Sequence, residues 1–296
     1  MKKKVVFDIE VYVNYCLFSF SDLDGTKFVE LEMYDGKELD RAKLKAVLKN
    51  YTIITFNGIN FDIPITFLAL AGASCGRLKY VCDHIIRTGD PHWKTNNIFD
   101  IKEFPIDHID IKEPAPGVAV SLKLYGGRLN APKLQDLPIE PSAVIQPEQR
   151  EPLRLYCRND LATTAALYRA IENEIQLRAD MSKQYGLDLR SKSGAQVAKA
   201  VIGHQLNEIG VKVKTKKVSA GTTYKYKMPE FVSFESEQLN DLKELVIKAN
   251  FVVNDKGSVL IPDELKKVIN FDGAKYKIGI GGLHSQEKKQ AVVCGE

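Results

Sequence analysis

The chain has no run of roughly 18 or more apolar residues, which leaves no ordinary membrane-spanning helix to expect. It has no CxxC pair. Its five cysteines, Cys16, Cys75, Cys82, Cys157 and Cys294, are scattered and odd in number, so neither a disulfide framework nor a zinc finger is indicated. Reduced, mostly buried thiols are expected instead. Met1-Lys2-Lys3-Lys4 leads into the short apolar segment Val5-Val6-Phe7 with no secretory core behind it, and no repeat or low-complexity tract appears. A soluble cytoplasmic protein is the expectation. What is there is ordinary: 296 residues, 44% of them hydrophobic, enough for about two domains with real cores.

Net charge is only +4, but it is unevenly spread. Residues 1–185 carry 24 basic against 25 acidic side chains, and residues 186–296 carry 18 against 13. The densest basic cluster is Lys212, Lys214, Lys216, Lys217, Lys225 and Lys227. Its alternation suits either contact with a phosphate backbone or a lysine-guarded strand edge.

β-Branched and aromatic residues predict strands at 5–7, 12–20 and near 27–31, with Ser21-Asp22-Leu23-Asp24-Gly25 as a turn, hence an antiparallel meander. Leu39, Ala42, Leu44, Val47 and Leu48 have helical spacing and precede the apolar strand Thr52-Ile53-Ile54-Thr55-Phe56, so the order begins βββαβ. A helix over 63–71 accommodates Pro64 in its first turn; a strand over 108–111 and a helix over 121–125 follow. One long helix is predicted from about 147 to 179, with Leu161, Thr164, Ala165, Tyr168, Ile171 and Ile175 on its apolar face. Segments 73–118 and 126–152 hold most of the prolines and read as surface excursions. A boundary is expected after Tyr185-Gly186. Beyond it come helices near 196–209 and 235–249 and β segments at 251–253, 259–261 and 275–280.

Three acidic motifs stand out: Asp8-Ile9-Glu10, Asn57-Gly58-Ile59-Asn60-Phe61-Asp62, and Tyr156-Cys157-Arg158-Asn159-Asp160. Asp8 and Glu10, two apart on a strand, leave the same face about 7 Å from each other at ~3.3 Å per residue. Asp62 follows an apolar strand and opens a helix, at the strand end where open α/β sheets bind ligands. Tyr156 and Asp160 share one helix face, so the phenol can orient a water beside the carboxylate. Four carboxylates so placed can hold two divalent cations, which suits phosphodiester cleavage.

A DxE match is expected about once by chance in a chain of this length, since Asp and Glu each make up ~6% of residues. The weight therefore rests on the ordered set. Taken singly, the carboxylates read as strand-face charges, a helix cap and a solvated helix residue. Asn96-Asn97-Ile98-Phe99-Asp100 rivals the middle motif, but Asp100 is followed by Lys102-Glu103-Phe104-Pro105, which cannot open an amphipathic helix. Asp62 is preferred and Asp100 is the fallback. Cys75, Cys82, His84 and His92 fit no common zinc spacing. Tyr80 and Trp93 suit stacking on bases or pinning the loop. Gly279 to Gly282 lacks a P-loop lysine and reads as a strand with close backbone approach.

Phe7-Asp8-Ile9-Glu10, Asn57 to Asp62 and Tyr156 to Asp160 resemble the three exonuclease motifs of the DEDD superfamily, tyrosine subtype, as found in the proofreading domain of DNA polymerases. The resemblance covers residues 4–180. It is most similar to family B-like DNA polymerases of bacteriophages, because His108-Ile109-Asp110, Ser121 to Arg128 and Leu189 to Ser193 also resemble segments of those chains, and Gly279 to Ser285 resembles the stretch shortly before their palm. It implies a ribonuclease-H-like mixed α/β fold and 3′→5′ removal of nucleotides from a single-stranded DNA or a DNA 3′ end, in the cytoplasm of an infected bacterial host. It implies Mg²⁺ or Mn²⁺, two ions, with Asp8 bridging both, Glu10 and Asp62 completing the shells and Asp160 holding the ion that positions the water. Tyr156 would orient that water; Asn57 and Phe61 would line the path of the 3′ end.

The departure from that family is large. Polymerase palm sequences such as DxxSLYPS and YxDTDS do not occur here. The chain therefore looks like the amino-terminal portion of a polymerase: residues 1–185 as the exonuclease domain and 186–296 as a basic α+β connection toward a missing palm. It would be a fragment, the product of a truncated gene, or one half of a split enzyme whose palm, fingers and thumb come from a separate chain, and Val292 to Glu296 would be a cut edge. A second class of function stays open, a non-catalytic single-strand-binding or assembly module of a split polymerase. Metal-dependent turnover discriminates the two.

Overall fold

The β-branched and aromatic start of the chain forms β1 (Lys4–Val11), β2 (Tyr15–Asp22) and β3 (Phe28–Tyr34), an antiparallel meander in which Asp8 stands opposite Ser19 and Glu10 opposite Leu17. The computed structural model describes residues 2–117, 120–211, 218–255 and 257–286. Helix α1 (Arg41–Asn50), capped by the Asp40 carboxylate, leads into β4 (Thr52–Thr55), which lies parallel to β1; β5 (Asp107–Asp110) lies parallel to β4. The result is a mixed five-stranded sheet of order β3-β2-β1-β4-β5 in a mixed α/β unit.

Because successive side chains alternate across a sheet, β1 feeds two cores. Phe7 and Ile9 join Phe18, Phe20 and Ile53 on one face, under α1, α2 (Asp62–Leu70) and α3 (Cys75–Thr88). Phe7 and Phe20 stack there at 4.3 Å. Val6 joins Ile54, Leu161, Ala165 and Tyr168 on the other face. The next two residues on that second face are Asp8 and Glu10, so β1 turns from apolar to acidic where the core ends.

The second face is covered by α5 (Leu122–Arg128) and α6 (Arg150–Ala170), the latter entered through a 3-10 turn at Pro147–Gln149. The expected single helix over 147–179 is therefore corrected: α6 stops at Ala170, Ile171 leaves helical geometry (φ −114°, ψ 18°), and α7 spans Glu172–Tyr185. Ile171 and Ile175 are both buried in the same core, so the apolar period runs through the break and hides it.

The surface excursion expected over 73–118 contains two helices that its low periodicity did not suggest. Between 74 and 100 lie α3 and α4 (His92–Phe99). Ser74 Oγ caps α3, the stripe Cys75, Leu78, Val81, Cys82 and Ile85 packs it down, and Gly89 ends it in the left-handed region. Residues 130–146 are irregular, tied to the sheet by Tyr12 Oη donating to Ile139 O (3.0 Å) and by two Asn14–Ile145 hydrogen bonds.

The chain divides into units Met1–Lys212 and Val213–Glu296. The first runs beyond the boundary expected at 185/186, because Gly186 is only the left-handed cap of α7. Leu189, Val197 and Val201, the last two on α8 (Gly194–Glu208), pack with Met181, Tyr185 and Leu187. Arg190 binds Asp107 on β5 (2.6 Å). The second unit holds two three-stranded sheets: β6 (Thr223–Tyr224), β7 (Phe251–Val253) and β8 (Val259–Leu260); and β9 (Val268–Phe271), β10 (Ala274–Gly279) and β11 (Gly282–Ser285). Its helix α9 spans Glu237–Lys248. Gly279 pairs with Gly282 at the β10–β11 hairpin, and a Cβ there would stand 2.5 Å from His284 Nε2, a close side-chain approach. Lys225 and Lys227 are exposed; the other four lysines of the basic cluster, and Val292 to Glu296, lie outside the described residues. Among the described residues no helix is long and apolar enough to cross a membrane.

Candidate metal centre

Asp8 and Glu10 come from β1, and α6 crosses above them. The α6 stripe Leu153, Cys157, Leu161, Ala165 and Tyr168 is buried; its later members pack with Val6 while Cys157 reaches Asp8, so the first half of the helix lies over the acidic end of β1. The helix register is fixed from the side by Arg158, whose guanidinium makes two hydrogen bonds to Glu30 of β3 (2.7 and 2.8 Å), and by Arg154, bonded to Glu32 (2.8 Å). Paired bonds of this kind hold Tyr156 and Asp160 in place.

Asp62 is the first residue of α2 and is buried. The loop before it is held by a carboxylate that sequence reading placed only on a strand, Asp110 of β5. Asp110 accepts hydrogen bonds from Asn57 N (2.9 Å), Ile59 N (3.0 Å) and Lys112 N (3.0 Å). Asn57 sits at φ 68°, and Asn60 N, Phe61 N and Ile63 N close the turn on Asn57 O and Gly58 O. Asp110 N in turn donates to Ser191 Oγ (2.9 Å), so the segment after Gly186 braces this loop.

The four motif carboxylates lie near enough to act on one another, though of the four only Asp8 and Glu10 fall in one tight group of donor atoms among the described residues. Burial and then the Asp160 charge push Asp8 up to about 7. Burial and then the charges of Asp8, Asp160 and Asp62 hold Glu10 well above the usual carboxylate range. Asp62 is raised by burial, then by Asp8 and Asp110. Asp160 is pushed up to about 6 by burial, opposed by the Tyr156 phenol beside it. Tyr156 itself is raised by burial and then by Asp160, so its phenol stays protonated. Among the described residues none of the four carboxylates forms a salt bridge; Arg154 and Arg158 are committed to Glu32 and Glu30. The Lys123 charge opposes the rise at Asp160, yet the like charges crowded here still favour a cation from outside.

Asp8, Glu10 and Cys157 offer one ligand atom each within 4.8 Å of one another, a group able to hold a metal ion. Cys157 was not among the expected site residues. Its position directly after Tyr156, on the buried stripe of α6, is the signal that could have pointed to it. Its thiol is pushed well above its ordinary range by burial and then by Asp8 and Glu10. It therefore stays a thiol, donates a hydrogen to Asp8 Oδ2 (3.5 Å), and leaves the carboxylate oxygens as the donors a hard ion would take. An oxygen set of this kind fits Mg²⁺ or Mn²⁺.

The other expected residues lie as follows. Asn57 turns its side-chain oxygen to Lys112 Nζ (2.8 Å). Phe61 is half-buried against the first core and is the N-cap residue of α2. Asp100, the fallback for Asp62, ends α4 with its side chain 83% exposed and pairs with Lys102. Cys75 and Cys82 are buried in the core, His84 meets Asp90 (3.4 Å), and they make no metal group among the described residues. Tyr80 sets its edge against Phe99 at 6.0 Å, and Trp93 is exposed on α4.

No family model, no curated protein and no solved structure matches this chain.

Proposed function

We propose that this chain is a metal-dependent 3′→5′ DNA exonuclease of ribonuclease-H-like architecture, acting on a single-stranded DNA or a DNA 3′ end. The observation that carries the reading is the approach of Asp8, Glu10, Asp62 and Asp160 from β1, α2 and α6, where their charges raise one another and, among the described residues, none is salt-bridged. The sheet order β3-β2-β1-β4-β5, with three antiparallel strands followed by two parallel ones, supports the architectural part. Its likeness to the proofreading portion of a phage family B-like polymerase rests on the motifs and is part of the same proposal, as is a separate chain that supplies the palm.

The four carboxylates would hold the cations. Bound there, two divalent ions would sharpen an attacking water and stabilise the oxygen that leaves. The chain's own residues do the rest. Tyr156 keeps its proton and presents it beside Asp160, where it orients a water. The Asp110-braced loop fixes Asp62 and sets Asn57 and Phe61 at the edge of the site.

The test is digestion of a 5′-labelled single strand with Mg²⁺, Mn²⁺ or EDTA. A metal-dependent ladder shortening from the 3′ end is expected, reduced by roughly 10³-fold or more in Asp8→Ala. Tyr156→Phe is expected to slow turnover by about 10- to 100-fold while leaving DNA affinity near wild type, because it misplaces the water and not the strand. Equal activity of Asp8→Ala and wild type would remove the site. Folded protein that binds DNA and yields no ladder with either metal would favour the non-catalytic module.

A further inference from the structure

Cys157 supplies the one soft donor at a site otherwise built of oxygen. Its sulfur lies 3.5 Å from Asp8 Oδ2, and Glu10 completes a trio of donors within 4.8 Å of one another. Two ligands on one tetrahedral zinc, with Zn–S ~2.3 Å and Zn–O ~2.1 Å, stand about 3.6 Å apart, so the sulfur–oxygen pair is already at a chelating separation. A second observation points into the same place. Ser19, directly across from Asp8 in the β1–β2 ladder, is 0% exposed, and its Oγ has no hydrogen-bond partner among the described residues. Residues opposite each other in such a ladder share a face, so this orphaned hydroxyl is directed to the Asp8 side of the sheet. A buried hydroxyl left unpaired is costly and suits a site completed by something bound from outside.

We propose that Cys157, with Asp8 and Glu10, forms a second metal-binding mode at this end of β1, selective for a thiophilic divalent cation such as Zn²⁺ or Cd²⁺. Binding forms the sulfur–metal bond as the thiol proton leaves to solvent, and the carboxylates of Asp8 and Glu10 supply the oxygen donors. Hard ions such as Mg²⁺ take oxygen and leave the thiol alone, whereas soft ions are drawn by it. The mode does not depend on nuclease activity, and its test does not read activity.

Cd²⁺ is titrated into the full chain without Mg²⁺, and the ultraviolet sulfur-to-cadmium charge-transfer band is followed. A saturable band is expected in wild type, lost in Cys157→Ser, shifted to at least about 10-fold higher Cd²⁺ in Asp8→Asn, and retained in Cys75→Ser, which tests the buried thiols of the other face. No band in wild type, a band that persists in Cys157→Ser, or one that disappears with Cys75→Ser overturns the proposal. Should Cys157→Ser fail to fold, Asp8→Asn decides, since it keeps every thiol: an unchanged titration there overturns the proposal as well.

Discussion

Asp8→Asn is expected to abolish DNA digestion and, in the same protein, to raise the melting temperature of the metal-free state above neutral pH. Asp8 is pushed up to about 7 in the folded chain against an ordinary 3.8, because it is partly withdrawn from water and lies near the Asp160 charge. Between those values the folded chain keeps a proton that the unfolded chain has lost. A raised carboxylate therefore favours the fold most at low pH, and that contribution is lost as pH rises through about 7. Asp160, raised to about 6, and Glu10 and Asp62, also raised, act in the same direction. Above neutral pH the wild-type site is a set of unrelieved charges. Replacing one of them by a neutral amide should return about 1–3 kcal/mol, or a few degrees of melting temperature. The check is thermal melting in EDTA near pH 5 and about pH 8, with and without Mg²⁺. Wild type should lose stability toward the higher pH and regain it with Mg²⁺; Asp8→Asn should lose less and respond less. Identical pH slopes and identical Mg²⁺ responses for the two proteins would refute the electrostatic account.

The second large effect is expected from Gly58→Ala. A Cβ at Gly58 would stand 2.2 Å from Thr55 Oγ1 and 2.5 Å from Thr55 Cβ. Thr55 cannot give way easily. It is buried on β4, β-branched, and its hydroxyl is hydrogen-bonded to His108 Nε2 at 2.7 Å. Alanine must therefore displace the loop that joins Asn57 to Asp62, breaking the hydrogen bonds to Asp110 and moving the Asp62 carboxylate. A cost of about 2–4 kcal/mol is expected, together with at least ~10²-fold lower turnover. Gly203→Ala is the control: it lies within α8, and a Cβ there meets nothing within 4 Å. That change should stabilise by up to about 1 kcal/mol and leave turnover unchanged. Denaturant melts and the digestion assay read both. Wild-type stability in Gly58→Ala would show that the loop has more room than the geometry allows.

Much of the first unit can be read directly from the residues, because its strands are short, apolar and bounded by turns. Tyr15 to Asp22 and Thr52 to Thr55 leave little alternative to a strand, and Asp40 and Ser121 announce the helices that follow. Helix α3 is written just as clearly by Ser74, its apolar stripe and Gly89, yet the prolines on either side of it average that signal away over a longer window. The break at Ile171 is silent because a buried β-branched residue keeps the period while the backbone changes. The end of the first unit is silent for the opposite reason: Gly186 looks like a linker, and only Ser191, Arg190 and the Leu189 cluster show that the chain continues to pack.

The candidate site divides in the same way. Asp8, Glu10, Asp62, Tyr156 and Asp160 carry their spacing in the sequence, and the choice of Asp62 over Asp100 follows from which one opens a packed helix. Asp110 and Cys157 do not. Asp110 acts by accepting backbone hydrogen bonds from a loop more than fifty positions earlier in the chain, which no local pattern records. Cys157 is visible only as a buried helical position until the β1 carboxylates are placed beneath it.

The most direct measurement of the central claim is anomalous scattering from crystals soaked in Mn²⁺ with a deoxynucleoside monophosphate. Two manganese peaks among Asp8, Glu10, Asp62 and Asp160, with Asp8 touching both, are the predicted result. Density for the protein and nucleotide with no manganese at these carboxylates would contradict it.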